Sequence, residues 1–379
     1  MSSASAAPVA GAAASASAAS SEAPPTEAAP KGESSGVQRV AVDVAKGEEL
    51  GYAVASHGEE FVVSAYKRKN EQGSLFVFKV EAGKPTLEVE LEATGSKKLG
   101  NALAFDGTQI LAGALYDDGR TPETGASYVF LRGEKGFGKA EKLSAVDAKR
   151  DDSFGIGLAI AGSTLIVGNS RESGGSLYTF ERGKAAIGAK ATLVFPKPNG
   201  PAEAIAGSGD WVFVGSELSG KLEEQGSVQV YRRGKTGFVL EPELSEKDAA
   251  ESQHFGGSVA VLGSTLAVTS DKQVTVFTLT DGKWQESARF TPPIATGLGG
   301  AALAVSEDRI AIGFHLIEAG RVLVYRRQGS EWKLEKTVSA PDGKNEDWFG
   351  YSLALSPGRL VVGAPLAAER TGAVYVTNL

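Results

Sequence analysis

The chain contains no cysteine. Disulfide frameworks and thiolate metal sites are excluded with it, although a chain without thiols suits either redox compartment. Histidine is almost absent, with only His57, His254 and His315 in 379 residues. No histidine–carboxylate–nucleophile spacing emerges around them, and two histidines on one face cannot make a zinc site alone. No apolar run approaches the roughly 18–20 residues that span a bilayer. Basic charge is not in excess either, since 39 Lys and Arg face 46 Asp and Glu for a net charge of −7. Without a basic stripe to displace counterions, nucleic acid is not an expected partner.

What is present falls into two parts. Residues 1–36 are rich in Ala, Ser and Pro, carry no aromatic side chain and show no apolar periodicity. Such a segment cannot bury enough surface to offset its chain entropy, so a disordered tether is expected there. It lacks the basic start and compact apolar core of a secretion signal. Met1, the only methionine, reads as a replacement for a removed signal. The expected location is therefore extracellular, cell-surface or periplasmic in a bacterium, and a lipid tether on the native precursor is compatible with that reading.

Residues 37–379 repeat. The stretch DDSFGIGLAIAGSTLIVGNS (151–170) reads as strand, Gly162-Ser163 turn and strand. With Gly155 as position zero, the same frame recurs at Gly51, Gly100, Ala202, Gly256, Gly300 and Gly350. Four residues on stand Ala55, Ala104, Ala159, Ala206, Ala260, Ala304 and Ala354, alanine in every copy. Thirteen on stand Ser64, Gly113, Gly168, Gly215, Thr269, Gly313 and Gly363, all small. A β-branched and aromatic run follows, such as Ser74–Phe78 or Ser227–Tyr231, and then a more polar alternating segment, such as 86–93 or 333–340. Four strands over 44 to 55 residues are the unit of a propeller blade. The last unit ends after its third strand, whereas an orphan strand at 37–45 precedes the first. Pairing the two would close a ring and remove its open edges. The expected fold is all-β: a seven-bladed propeller of four-stranded antiparallel blades, closed by an N-terminal strand that completes the last blade.

These residues resemble the FG-GAP repeat, the blade unit of the integrin α-subunit N-terminal propeller. Phe154-Gly155, Phe255-Gly256 and Phe349-Gly350 carry the first half of its pattern. Val362-Gly363-Ala364-Pro365 with Gly372–Val376 carries the second. The resemblance covers 37–379 and is similar to bacterial surface and secreted proteins with short turns. Calcium-binding members hold an Asp-rich loop between the first two strands, as an oxygen-loving cation requires. Here those turns offer at most two carboxylates, as in Ser306-Glu307-Asp308, so no metal and no cofactor is expected. Asp43, Asp147, Asp248 and Asp342, each eight residues before position zero, are expected to hydrogen-bond their own turn backbone.

Function is placed on the loops. Connections between second and third strands vary in length and emerge beside the blade-to-blade connections, and variable loops on a rigid frame are where recognition usually sits. Tyr, Trp and Arg carry interface energy, so the candidate ligand-binding residues are Tyr66, Tyr116, Arg120, Arg171, His254, His315, Trp348 and Arg370. No catalytic residue is assigned. The expected role is a non-catalytic binding or adhesion module for a protein or glycan partner. A structural subunit of an envelope or extracellular assembly, and a carbohydrate-active lyase or hydrolase, are the alternatives.

Overall fold

The computed structural model describes residues 32–379, apart from 120–121, 146, 148, 171–174, 182–191, 194–203, 220–223, 249–252, 295–297 and 299–300. Seven antiparallel sheets of four strands succeed one another along the chain. The innermost strands are Leu50–His57, Leu103–Phe105, Leu158–Ala161, Ile205–Ser208, Val259–Leu262, Ala302–Val305 and Ser352–Ser356. Each neighbours the next, and the seventh lies against the first. The fold is a closed seven-bladed propeller with almost no helix. Blade 2 departs slightly, because its outer edge is split into Gly136–Phe137 and Glu141–Leu143, which pair different parts of Ala126–Gly133.

The recurrent alanines occupy the ring's centre. Ala55, Ala104, Ala159, Ala206, Ala260, Ala304 and Ala354 all lie in innermost strands and are at most 4% exposed. Seven converging sheets leave room there for a methyl group and little more.

Closure is achieved by Val37–Arg39, which pairs with the last strand through Val37↔Thr377, Gln38↔Val376 and Arg39↔Tyr375. The ladder is shorter than the 37–45 expected. After Val40, whose N–H donates to the Val374 carbonyl at 2.9 Å, the chain leaves the sheet edge toward blade 1. Val42 and Val44 instead pack on the core shared by blades 7 and 1. Ahead of this strand, Glu33 bridges Val338 on blade 6. Residues 1–31 of the expected tether lie outside the described residues.

Glycine sets the seams between blades. In blade 6, Gly313 sits so close to blade 7 that a β-carbon would run into the Gly350 carbonyl, and Gly350 itself has φ +91. Gly113 meets Gly155, Gly215 meets Gly256, and Gly363 meets Gly51 in the same way. Where the thirteenth position is not glycine, its hydroxyl bonds the inner strand: Ser64 Oγ accepts from Ala53 N and Thr269 Oγ1 from Ser258 N, both at 2.9 Å. A second contact lies just outside. In blades 1, 2, 4, 6 and 7 the glycine that opens the third strand backs onto the residue before position zero in the next blade, as Gly320 does on Phe349. That residue is Leu50, Leu99, Phe154, Phe255 or Phe349, none more than 2% exposed. Phe154 and Phe349 then meet Tyr178 and Tyr375 of their own blades edge-on, at 5.3 Å each.

The recurrent aspartates differ from expectation. Asp147 and Asp342 accept hydrogen bonds from the Tyr178 and Tyr375 hydroxyls at 2.6 and 2.8 Å. Asp342 also pairs with Arg39 at 2.7 Å, and Asp248 lies 3.8 Å from Arg289. Asp147 and Asp342 thus tie connections to third strands, and Asp248 faces an outer strand, instead of serving only their own turns.

Two stability outcomes follow from the seams and the closing strand. Gly313→Ala should cost about 3 kcal/mol or more, because the obstacle is backbone that cannot move aside. Gly58→Ala, at φ +57 in open space, should cost only about 1 kcal/mol. Thermal or urea unfolding of the two variants measures the contrast. A chain beginning at residue 41 should melt well below the parent, and one beginning at residue 32 close to it.

Candidate recognition site at the loop face

The site begins with a backbone device. Glu49, Lys98, Ser153, His254 and Trp348 each stand two residues before position zero, and each has a left-handed φ between 48° and 61°. A non-glycine residue held there costs about 1 kcal/mol, which the surrounding contacts must offset. Part of the compensation comes from the neighbouring blade. The Lys98 N–H donates to the Glu71 carbonyl at 2.6 Å, His254 to Glu224 at 3.0 Å and Glu49 to Arg370 at 3.0 Å. Acceptor residues Glu71, Glu224 and Arg370 are left-handed as well. The second-to-third-strand loop of one blade is thereby locked to the entry of the next, and the loop face is stiff.

Side chains reinforce the same seams. Glu123 pairs with Arg150 at 2.6 Å and Glu224 approaches His254 Nε2 at 3.4 Å. At the ring's closing seam the polarity is reversed. There Glu49, 2% exposed, holds Arg370 at 2.7 Å and Lys67 at 2.9 Å.

An aromatic arc crosses the mouth of the ring. His315 of blade 6 meets Trp348 and Tyr351 of blade 7 edge-on at 5.4 and 5.2 Å. Trp348 stacks on Tyr351 at 5.4 Å, and Tyr351 reaches Tyr52 of blade 1 at 5.2 Å. Tyr52 stacks on Tyr66 at 4.0 Å. Lys98 of blade 2 extends the arc, with its ammonium 5.8 Å from the Tyr66 ring centre and 4.2 Å from that of Tyr116. Aromatic pairs of this geometry contribute about 0.5–1.5 kcal/mol beyond their burial. The rings therefore hold one another in place before any ligand arrives.

Burial tunes these groups. Desolvation pushes the phenols of Tyr52, Tyr66 and Tyr351 up, with Tyr52 and Tyr351 hydrogen-bonded to each other. They stay neutral and can donate or accept. Burial alone pulls His315 down to about 4, so its imidazole is neutral above that pH. His254, on the far side of the mouth, behaves oppositely. Burial lowers it, but the 2.9 Å hydrogen bond to Asp271 and the charges of Asp271, Glu217 and Glu224 prevail, and its pKa is raised. One side of the mouth is aromatic and neutral; the other is acidic around a basic imidazole.

Tyr66, His315 and Trp348 are thus brought together, and Arg370 joins them through Glu49. Tyr66 is only 7% exposed and contributes mainly by supporting Tyr52. His254 stands apart. Tyr116 is 49% exposed at the arc's end. Arg120 and Arg171 lie outside the described residues. Sequence reasoning missed Tyr52 and Tyr351, although both directly follow position zero, and a comparison of that position across copies would have found them. Asp117, beside Asp118 in the long loop of blade 2, has its oxygens on Tyr128 at 2.6 Å and Lys142 at 3.1 Å. Among the described residues, no group of three His, Asp or Glu side chains could hold a metal.

Known proteins can now be set beside this geometry. The sequence pattern of the FG-GAP repeat matches residues 137–180 and 332–377. The chain carries FG-GAP repeats. Each match runs from the outer strand of one blade through the third strand of the next, so the FG-GAP unit straddles the glycine seam. A search of curated proteins finds no match. Among solved structures, a Bacteroides fragilis protein provisionally assigned as a 6-phosphogluconolactonase superposes with a TM-score of 0.51 at 13% identity, over 80% of this chain and 86% of its own. A Lactobacillus plantarum protein gives 0.52 at 12%, over 80% and 88%. A prolyl endopeptidase gives 0.49 at 15%, over 88% of this chain and 47% of its own. At such identities the first two likenesses show the propeller fold alone, and nothing about activity follows. Among the described residues, no helix is long and apolar enough to cross a membrane.

The two imidazoles predict opposite pH effects. With its folded pKa depressed, His315 takes up a proton in the unfolded chain first, so stability is lost as pH falls from about 6.5 toward 4. At most about 3 kcal/mol is involved, given the shift to about 4 and ~1.36 kcal/mol per unit. His254, with its folded pKa raised, contributes stability below its unfolded value that fades as pH rises through the folded one. Urea unfolding at pH 7.5, 6 and 4.5 should show His315→Gln losing less stability than the parent on acidification, and His254→Gln losing more.

Proposed function

We propose that the protein is a non-catalytic recognition module, acting extracellularly or at the cell surface, which binds a partner through the aromatic arc of its loop face. The observation that carries this reading is the convergence of His315, Trp348, Tyr351 and Tyr52 from three blades onto one mouth. Pre-stacked rings on locked loops lose little entropy on binding and supply large amphipathic contact area. The surrounding charges of Glu49, Lys67 and Arg370 are mutually paired, which suits positioning and display. FG-GAP repeats are typical of extracellular proteins, in keeping with this role.

The test is binding of the full chain to arrays of glycans and of surface proteins, with and without calcium. A bound partner should be lost, with affinity falling tenfold or more, in Trp348→Ala and Tyr351→Ala. The Val239→Ser, Leu240→Ser pair, on an exposed outer strand of blade 4, should bind as the parent does. Loss in the blade 4 pair alone would favour edge-on assembly. Turnover of an arrayed glycan would establish catalysis and replace this reading.

A further inference from the structure

Beside the arc, where blades 1, 2 and 3 meet on the loop face, lies an open cleft of about 740 Å³. That is within the roughly 300–1,000 Å³ of small-ligand sites. Its walls include Asn70, Lys97, Lys98, Tyr116, Glu123 and Asp151. The ring of Tyr116 is the large exposed aromatic surface there, 49% open to solvent, and Lys98 lies 4.2 Å from its centre. Asn70 belongs to three consecutive left-handed residues, Lys69, Asn70 and Glu71, at φ 53° to 64°. That strained turn is pinned by Lys69 to Glu92 and by Arg68 to Glu48 and Glu90 at 2.6 and 2.8 Å. The wall is rigid before it meets a ligand.

The chemistry of the lining narrows what could enter. Its charges are internally balanced: Lys97 pairs with Asp118 at 2.9 Å, Glu123 with Arg150 at 2.6 Å, and Lys98 lies 3.9 Å from Glu71. A charged ligand would have to break such pairs to be held. An apolar ligand would strip water from these charged groups and from the Asn70 amide without offering a hydrogen bond in exchange. A neutral, polyhydroxylated ring meets neither objection. Its hydroxyls can donate to Asp151 and Glu123 and accept from Asn70 and the lysines. Its C–H face can lie against Tyr116, where weakly positive hydrogens meet the negative face of the ring.

We infer that this cleft is a subsite for a neutral oligosaccharide, seated on Tyr116 and hydrogen-bonded by Asn70, Glu123 and Asp151. The inference rests on the recognition reading above and names its ligand class. Lys98, between Tyr116 and Tyr66, joins the cleft to the arc, so a longer glycan would run from one onto the other.

The test is a glycan array carrying neutral, uronate and sulfated oligosaccharides, probed with the full chain, followed by calorimetric titration of the best binder. A neutral glycan is expected to bind. Tyr116→Ala should weaken it tenfold or more and Asp151→Asn severalfold, both with the parent's melting temperature, since both side chains are exposed. Absence of any neutral binder, or binding only of acidic glycans, overturns the ligand class. A neutral glycan lost with Trp348→Ala but unaffected by Tyr116→Ala overturns the cleft and leaves the arc intact. If the chain instead captures an arrayed protein through the arc, recognition stands and the sugar assignment falls.

Discussion

Everything in this molecule depends on how closely one blade can approach the next. Where Gly313 faces the Gly350 carbonyl, there is no space for even a methyl group, and the same contact recurs between other blades. The close approach brings the inner strands together tightly enough for alanine alone to fill the middle. Among the described residues it also places second-to-third-strand loops within hydrogen-bonding reach of the entry to the following inner strand. The stiff loop face is thus a secondary result of the seams. Side chains there can vary from blade to blade because contacts recurring at the described seams already hold the ring.

That division explains why a regular scaffold carries an irregular mouth. The position after each position-zero residue is Tyr in blades 1 and 7, Asn in blade 2 and Ile in blade 3. Asn101 serves the seam, its amide donating to the Gly155 carbonyl at 3.1 Å, whereas Tyr52 and Tyr351 turn to the mouth. There, with His315 and Trp348, they build a continuous run of rings, and blades 4 and 5 gather Glu217, His254 and Asp271. A ligand meeting this mouth would find different chemistry at each side, and so only one orientation would satisfy both. Fold likeness to solved structures at 12–13% identity reflects the scaffold, whose requirements are met by small residues and say nothing about the variable positions.

The seven blades were legible in the sequence because their signals are local and repeated: alanine at one spacing, glycine at another, an aromatic before the turn. The closing strand was legible as well, together with its pairing to the last blade. Its true length was not, because Val42 and Val44 alternate like strand residues while their side chains are claimed by the core of the adjacent blade. The aspartates were misread for a related reason. A turn residue's local options are visible in sequence, whereas the Tyr178 and Tyr375 hydroxyls reach Asp147 and Asp342 from strands about thirty positions away. The candidate site was half legible. Loop aromatics drew notice by type, but Tyr52 and Tyr351 looked like strand residues, and their meeting across the closing seam depends on the ring itself.

The pairing of Val37–Arg39 with the strand that ends the chain has a consequence for how the molecule is made. On the ribosome, Val37–Arg39 is without its partner until Ala373–Asn378, more than 300 positions later, has been added. Blades can form one after another behind it, each leaning on its predecessor, but the ring stays open throughout. Its completion therefore waits for Ala373–Asn378, and without that strand blade 7 would keep an open edge and Val37–Arg39 would lose its partner.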